Sequence, residues 1–310
     1  MAFPLVGSKT LGMRSFLGTW VAPGGRVTFL GPAGVFEDTF TENNRVSTLQ
    51  AALARCRPGK HDVIIALPGH TENVDVADFG SNLVAGTQII GVAPFGSFYM
   101  PAFTFTAAAA TLLIDTPGVL ISGIKFVSAV DALVNMVNLS GGGSRISECL
   151  FFCGSNSATD CDAPLIISGG LDQVVEDCVF YSLGASAHSQ LILVSGANVH
   201  NLEVKNNLLV GACATNGVIN VTGTGTAIRI HHNQIIQVSN TTPIGIRHTD
   251  TVLTAMIYDN RIAFTADVTV LTAAISAAGV ATANVRSIEN YACDEDSLGG
   301  VLAPTATGLE

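Results

Sequence analysis

The stretches "RISECLFF" (145–152), "VVEDCVFY" (174–181), "EVKNNLLV" (203–210), "RIHHNQII" (229–236), "MIYDNRIA" (256–263) and "RSIENYAC" (286–293) share one pattern. Each has a strand-like apolar residue, two polar residues, a Cys or Asn, and then a second apolar run. The aligned positions are Cys149, Cys178, Asn207, Asn233, Asn260 and Asn290, separated by 29, 29, 26, 27 and 30 residues. The segment "VLISGIKFV" (119–127) reads as an earlier copy with Gly123 in the Cys/Asn slot. A fixed interval of this size is the mark of a repeat architecture.

A second series keeps step with the first: "ALVNMVNL" (132–139), "APLIISGG" (163–170), "SQLILVSGA" (189–197), "GVINVTGTG" (217–225), "TPIGIRHTD" (242–250) and "VTVLTAAIS" (268–276). These are short apolar runs, mostly ended by Gly, Ser or Thr. No unit carries a useful helical 3.6-residue pattern. A coil of three short strands and three turns takes roughly 20–30 residues, and stacked coils place equivalent residues about 4.8 Å apart. Inward Ile, Val and Leu would then stack into a continuous core. A repeated Asn at a turn tolerates the left-handed backbone region and can donate its amide to the next Asn in the stack. Cys149, Cys178, Asn207, Asn233, Asn260 and Asn290 are therefore expected to form a structural ladder.

Composition narrows the classes. The chain has 310 residues with 14 Lys+Arg and 24 Asp+Glu, a formal charge of −10, and 12% charged residues. That is about half the usual charged fraction. With 48% hydrophobic residues, disorder is excluded. The acidic balance and the absence of a Lys/Arg run argue against nucleic acid as a partner. The uncharged stretch Phe79–Ile114 is broken by Gly80, Gly86, Gly91, Pro94, Gly96 and Pro101, which argues against a membrane partner. Seven cysteines without a CxxC pair read as reduced, buried thiols, not as a disulfide or zinc framework. No basic segment followed by an unbroken apolar run is found near Met1, so synthesis and assembly in a cytoplasm are expected.

The repeat resembles the right-handed parallel β-helix, the fold of pectate lyases and of phage tailspikes. The expected architecture is all-β: a single-stranded right-handed parallel β-helix of about eight coils over residues 60–293. Ser47–Cys56, "STLQAALARC", reads as a capped amphipathic helix with Leu49, Leu53 and Cys56 on one face, within a capping segment 47–59. Together with "GKHDVIIALPGHTENV" (59–74) it is similar to the β-helix structural proteins of tailed phages. Residues 1–46 are expected to be an extended N-terminal arm that orders on a partner through Phe3, Leu5, Phe16, Leu17, Trp20, Phe29, Leu30, Phe36 and Phe40; an irregular cap on the chain's own β-helix is the alternative. Residues 294–310 are expected to be a C-terminal tail.

The residues before the Cys/Asn slots are Glu148, Asp177, Asn206, His232, Asp259 and Glu289, and should point outward near a turn. One position earlier come Ser147, Glu176, Lys205, His231 and Tyr258, which places Glu176 beside Lys205 as a surface ion pair. Carboxyl groups of Glu148 and Asp177 on neighbouring coils would lie about 5 Å apart, the separation used by retaining glycosidases. Asp160, Asp162 and Asp172 could add charge. A calcium-dependent lyase site would need a carboxylate cluster with a basic partner, and "ATDCDAP" (158–164) supplies only Asp160 and Asp162. His231 and His232, adjacent on a strand, should face opposite ways. No metal or cofactor is expected.

The resemblance and the apolar 1–46 segment together imply a non-enzymatic virion protein of a bacteriophage, assembled in the host cytoplasm. As a capsid decoration or cement protein it would bind the major capsid protein and itself, as a homotrimer packed through faces rich in small residues. The alternative is a tailspike or receptor-binding protein that binds or cleaves host polysaccharide, with Glu148 and Asp177 as its catalytic pair.

Overall fold

The computed structural model describes residues 25–31, 44–153, 159–182, 189–213, 216–238, 244–249, 254–264, 274–276, 285–293 and 300–301. Each repeat contributes one strand to each of three stacked sheets. Sheet I has eleven strands and includes Arg145–Ser147, Val174–Glu176, Glu203–Lys205, Ile228–His231 and Ala255–Tyr258. Sheet II has ten, among them Leu150–Phe152, Val179–Ser182, Leu208–Gly211, Gln234–Gln237 and Arg261–Phe264. Sheet III has seven, from Leu112–Ile114 to Ile275–Ser276. Neighbouring rungs pair in parallel and in register; the last pair, Tyr291–Cys293 with Gly300–Val301, is antiparallel. The fold is a parallel β-solenoid. Seven coils carry a strand on the third face among the described residues, one fewer than the repeat length suggests.

Strands only three or four residues long cannot hold themselves together, so the stack does. Ile121, Ile146, Val175, Val204, Ile230 and Ile257 align inside sheet I, all buried. Phe103, Phe126, Phe151, Phe180, Leu209, Ile235 and Ile262 align inside sheet II. Phe151 and Phe180 stack at 4.4 Å and 3°. Leu112, Val137, Leu165, Ile192, Ile219 and Ile246 close the third side. Cys149, Cys153, Cys161, Cys178 and Cys213 are buried free thiols in this core; burial pushes Cys213 up to about 12. No helix among the described residues is long and apolar enough to cross a membrane.

The corner between sheets I and II takes two residues. Glu148, Asp177, Asn206, His232, Asp259 and Glu289 all have φ between 51° and 56°, and Gly123 has φ 70°. The left-handed residue is thus the one before the ladder position, not the ladder Asn itself. Ser122 pairs with Ser147, which aligns Gly123 with Glu148 and puts Ile124 in the Cys/Asn slot. The ladder residues turn inward. Asn207 Nδ2 donates to Asn233 Oδ1 (3.0 Å), Asn233 Nδ2 to Asn260 Oδ1 (3.0 Å), and Asn260 Nδ2 to Asn290 Oδ1 (2.9 Å). Each Oδ1 also accepts the backbone N–H of the preceding ladder residue, Cys178 included.

At the N-terminal end, Val27–Leu30 pairs in parallel with both Arg45–Val46 and Val63–Ala66, and Phe29 and Leu30 are buried. These residues of the expected arm form a rung of sheet I, because an apolar strand beside an open sheet edge satisfies its backbone there. Phe3, Leu5, Phe16, Leu17, Trp20, Phe36 and Phe40 lie outside the described residues. Helix α1 (Leu49–Leu53) is capped by Thr48, whose hydroxyl accepts from Ala51 N–H, and buries Leu49, Ala52 and Leu53 against the end of the core. Glu72 Oε2 accepts the Leu49 N–H at 2.8 Å.

Asn233→Ala orphans two buried donors of Asn207, each worth about 1–3 kcal/mol. Urea melts of this variant are expected to show a loss of about 3 kcal/mol. Glu148→Gly, one residue before the ladder on its own coil, relieves a left-handed side chain. It is expected to leave stability unchanged or raise it by up to about 1 kcal/mol.

Candidate functional site

Side chains that point out of sheet I form rows along the solenoid. Ser147, Glu176, Lys205, His231 and Tyr258 stand in register on consecutive coils, as the repeat predicts. A second row, Arg145, Val174, Glu203, Arg229, Met256 and Arg286, lies two residues earlier. The rows bind each other: Arg145 meets Glu176 at 3.0 Å, and Lys205 meets Glu176 at 3.5 Å and Glu203 at 2.8 Å. Arg229 lies 3.8 Å from Glu203. The expected Glu176–Lys205 pair is present, with the Glu176 side chain 13% and the Lys205 side chain 24% exposed.

Glu148 and Asp177 occupy consecutive left-handed corners and are exposed. Ser122 Oγ donates to Glu148 Oε2 at 3.4 Å. Tyr181, the aromatic of that coil, stacks instead on Phe152 on the outer face of sheet II (5.7 Å). Asp160 caps the backbone N–H of Ala132 (2.7 Å), and Asp172 accepts from the Asn201 side chain. Both are thereby used in holding turns. Among the described residues no group of three or more His, Cys, Asp and Glu is placed to hold a metal ion.

The densest chemistry lies further along the same corner, where the sequence reading missed it. His231 and His232 meet, Nδ1 to Nδ1, at 2.7 Å. The strand rule fails here because His232 is the left-handed corner residue (φ 56°), which swings its ring back over the strand. His231 Nε2 reaches Glu203 Oε1 at 3.1 Å, and its ring stacks on Tyr258 at 4.5 Å and 5°. His232 Nε2 faces Asp259 Oδ2 at 3.6 Å. The sequence signal was the +28 spacing from Glu203 to His231, one coil apart at an offset of two.

Two concavities flank the His231–Tyr258 stack. One, of about 420 Å³, is lined by Asn206, His232, Gln234, Asp259, Arg261 and Tyr291. The other, of about 410 Å³, is lined by Ala227, Arg229, Thr254, Met256 and Arg286. The hydrogen bond from Lys205 holds Glu203 below the usual carboxylate range, against its partial burial. Burial holds His231 below its ordinary value, against the pull of Glu203.

The sequence matches no known family profile and no curated protein. Similar solved structures are a thermostable pectate lyase (11% identity over 92% of this chain and 83% of that one, TM-score 0.48) and a substituted Bacillus subtilis pectate lyase (12%, 88% and 82%, TM-score 0.44). A third is a pectate lyase studied for its anti-β-elimination mechanism (13%, 93% and 85%, TM-score 0.45). The expectation that the chain is not an enzyme is withdrawn, since the similar structures are enzymes. At such identity the likeness is one of fold and assigns this chain neither reaction nor substrate.

The two perturbed groups make stability depend on pH. A histidine whose folded pKa lies below 6.5 loses stability as pH falls below that value, because the unfolded chain takes the proton first. Glu203, held below 4.5, contributes fully above 4.5 and less as pH falls further. Thermal midpoints are expected to drop on acidification from pH 7, and again below pH 4.5. His231→Gln should remove the upper step alone.

Proposed function

We propose that this solenoid binds a polysaccharide across sheet I and around its corner with sheet II. The observation that carries this reading is the pair of concavities on either side of the stacked His231–Tyr258 rings. From Ala227 to Gln234 the surface runs along one coil for roughly 20 Å, at about 3.3 Å per strand residue. It offers guanidinium groups, amides and carboxylates for hydroxyls, with the Tyr258 and Tyr291 rings for apolar sugar faces. A linear polyhydroxylated chain suits such a surface, which is shallow, polar and studded with flat rings. The phage receptor-binding role, the alternative reading of the sequence, is one setting for this activity.

A second reading, a capsid-bound homotrimer, is favoured by the outer face of sheet II. There Val127, Phe152, Tyr181, Val210 and Ile236 align on consecutive coils beside Leu150, Val179 and Leu208. Such a flat apolar strip suits a neighbouring β-solenoid or a shell surface.

Titration calorimetry against a panel of neutral and acidic polysaccharides is expected to find a binder, with Tyr258→Ala and Tyr291→Ala each weakening it about tenfold. No binding across the panel would count against the first reading. For the second, light scattering is expected to give three copies per particle and Val210→Lys one; a monomer before substitution would count against it.

A further inference from the structure

We propose that His232 is the general base of an ester-hydrolysing site in the corner concavity, acting on O-acylated sugar chains. The substrate class rests on the polysaccharide reading above; the base does not. The argument begins with protons. His231 Nε2 lies 3.1 Å from a carboxylate oxygen of Glu203, which only accepts, so Nε2 carries a hydrogen. Neutral His231 then presents a lone pair at Nδ1. The 2.7 Å contact between the two Nδ1 atoms needs one hydrogen, and it must come from His232. That leaves His232 Nε2 unprotonated, a base facing the concavity.

The surroundings hold this arrangement. Lys205 and Arg229 keep Glu203 anionic from one side. Burial keeps His231 neutral, and the Tyr258 stack fixes its ring plane. Asp259 Oδ2 lies 3.6 Å from His232 Nε2, too far to take a hydrogen bond. Arg261, Gln234, Asn206 and Tyr291 line the same space and are donors. An imidazole with a lone pair at Nε2, beside one carboxylate and facing donors, suits acyl transfer to water. Glycoside cleavage would ask for two opposed carboxyl groups.

In the step, a water oxygen forms a bond to the acyl carbon while its proton passes to His232 Nε2. The carbonyl π pair moves onto oxygen, beside the Arg261 guanidinium. That pair then re-forms the C=O bond as the bond to the sugar oxygen breaks. The sugar oxygen leaves with the electron pair and takes the proton from the imidazolium, giving a free hydroxyl and a carboxylic acid. His231 and Glu203 are positioning residues that fix the tautomer.

Long-range ¹H–¹⁵N spectra of the imidazoles in the full chain test the base without any substrate. His232 is expected as the Nδ1–H tautomer and His231 as the Nε2–H tautomer; His232 as Nε2–H would overturn the proposal. Hydrolysis of p-nitrophenyl acetate, which carries no sugar, is expected to rise with one ionisation and to fall at least 100-fold in His232→Gln. In Glu203→Gln the pH profile is expected to shift. An unchanged rate in His232→Gln would overturn the base. His232 is a half-exposed corner residue, so this variant is expected to fold, and circular dichroism checks it. Acetate release from acetylated xylan is expected in the unsubstituted chain. Cleavage of p-nitrophenyl acetate without it would overturn the sugar substrate and leave the base standing.

Discussion

Everything in this molecule depends on turning the chain between two sheets in two residues, again and again, at one place on the coil. A two-residue corner demands a left-handed residue followed by one whose backbone and side chain face inward. The first is met by Glu148, Asp177, Asn206, His232, Asp259 and Glu289, at about 1–2 kcal/mol of strain each for residues with a Cβ. The second is met by thiols and amides. The buried ladder offsets the strain: the Oδ1 atoms of Asn233, Asn260 and Asn290 each take a backbone N–H and a side-chain N–H from the coil before. The corner is therefore stabilised only as a stack. A single coil would hold an unsatisfied amide and a strained turn.

The same constraint sets the chemistry. A left-handed residue carries its side chain outward and back over the strand it has just left. On the coils of Glu148, Asp177 and Glu289 this places a carboxylate in solvent. On the coil of His232 the preceding strand ends in another imidazole, and the two rings meet. Neighbouring coils then supply Glu203 from one side and Tyr258 and Asp259 from the other. No two of these coils are unusual in themselves. The cluster exists because residues 26 to 30 apart in sequence are placed one strand spacing apart in space.

The period, the three-strand coil and the ladder were legible because stacking repeats one physical demand at a constant interval. "NNLL", "HNQI" and "DNRI" answer that demand with the same residue. The corner was misread by one position: the left-handed conformation was assigned to the ladder Asn, although Gly123 already marked the residue before the slot. The alternation rule then sent His231 and His232 to opposite faces. It holds inside the strand Ile228–His231 and fails at His232, the first residue past it, where φ changes sign. Glu148 and Asp177 were singled out by spacing along the ladder, a measure blind to the rest of the coil. Glu203 was missed because its partnership with His231 combines a coil step with an offset of two along the strand. The Val27–Leu30 rung was hidden by the Gly/Pro-rich sequence around it, which reads as loop until a sheet edge is there to receive it.

The ends of the ladder show why its composition changes along the chain. An Asn stack needs a carbonyl oxygen ahead of each amide and a backbone donor behind it. At the early end Cys178 supplies the donor, its N–H bonding Asn207 Oδ1, while its thiol donates to the Glu176 carbonyl at 3.2 Å. A thiol is a donor weak enough to stop the chain of amides without orphaning one. Among the described residues Asn290 is the last of the ladder; its amide donates to Ile257 O, as the other ladder amides do to their own neighbouring coils, and to Ser287 Oγ at 2.9 Å. Cysteine and serine are thus terminators of one hydrogen-bonded column. The Asn coils between them, Asn207 to Asn290, are the coils that carry the imidazole pair. Rigid amides below the corner hold His232 in its strained conformation, and the surface site is as ordered as the column beneath it.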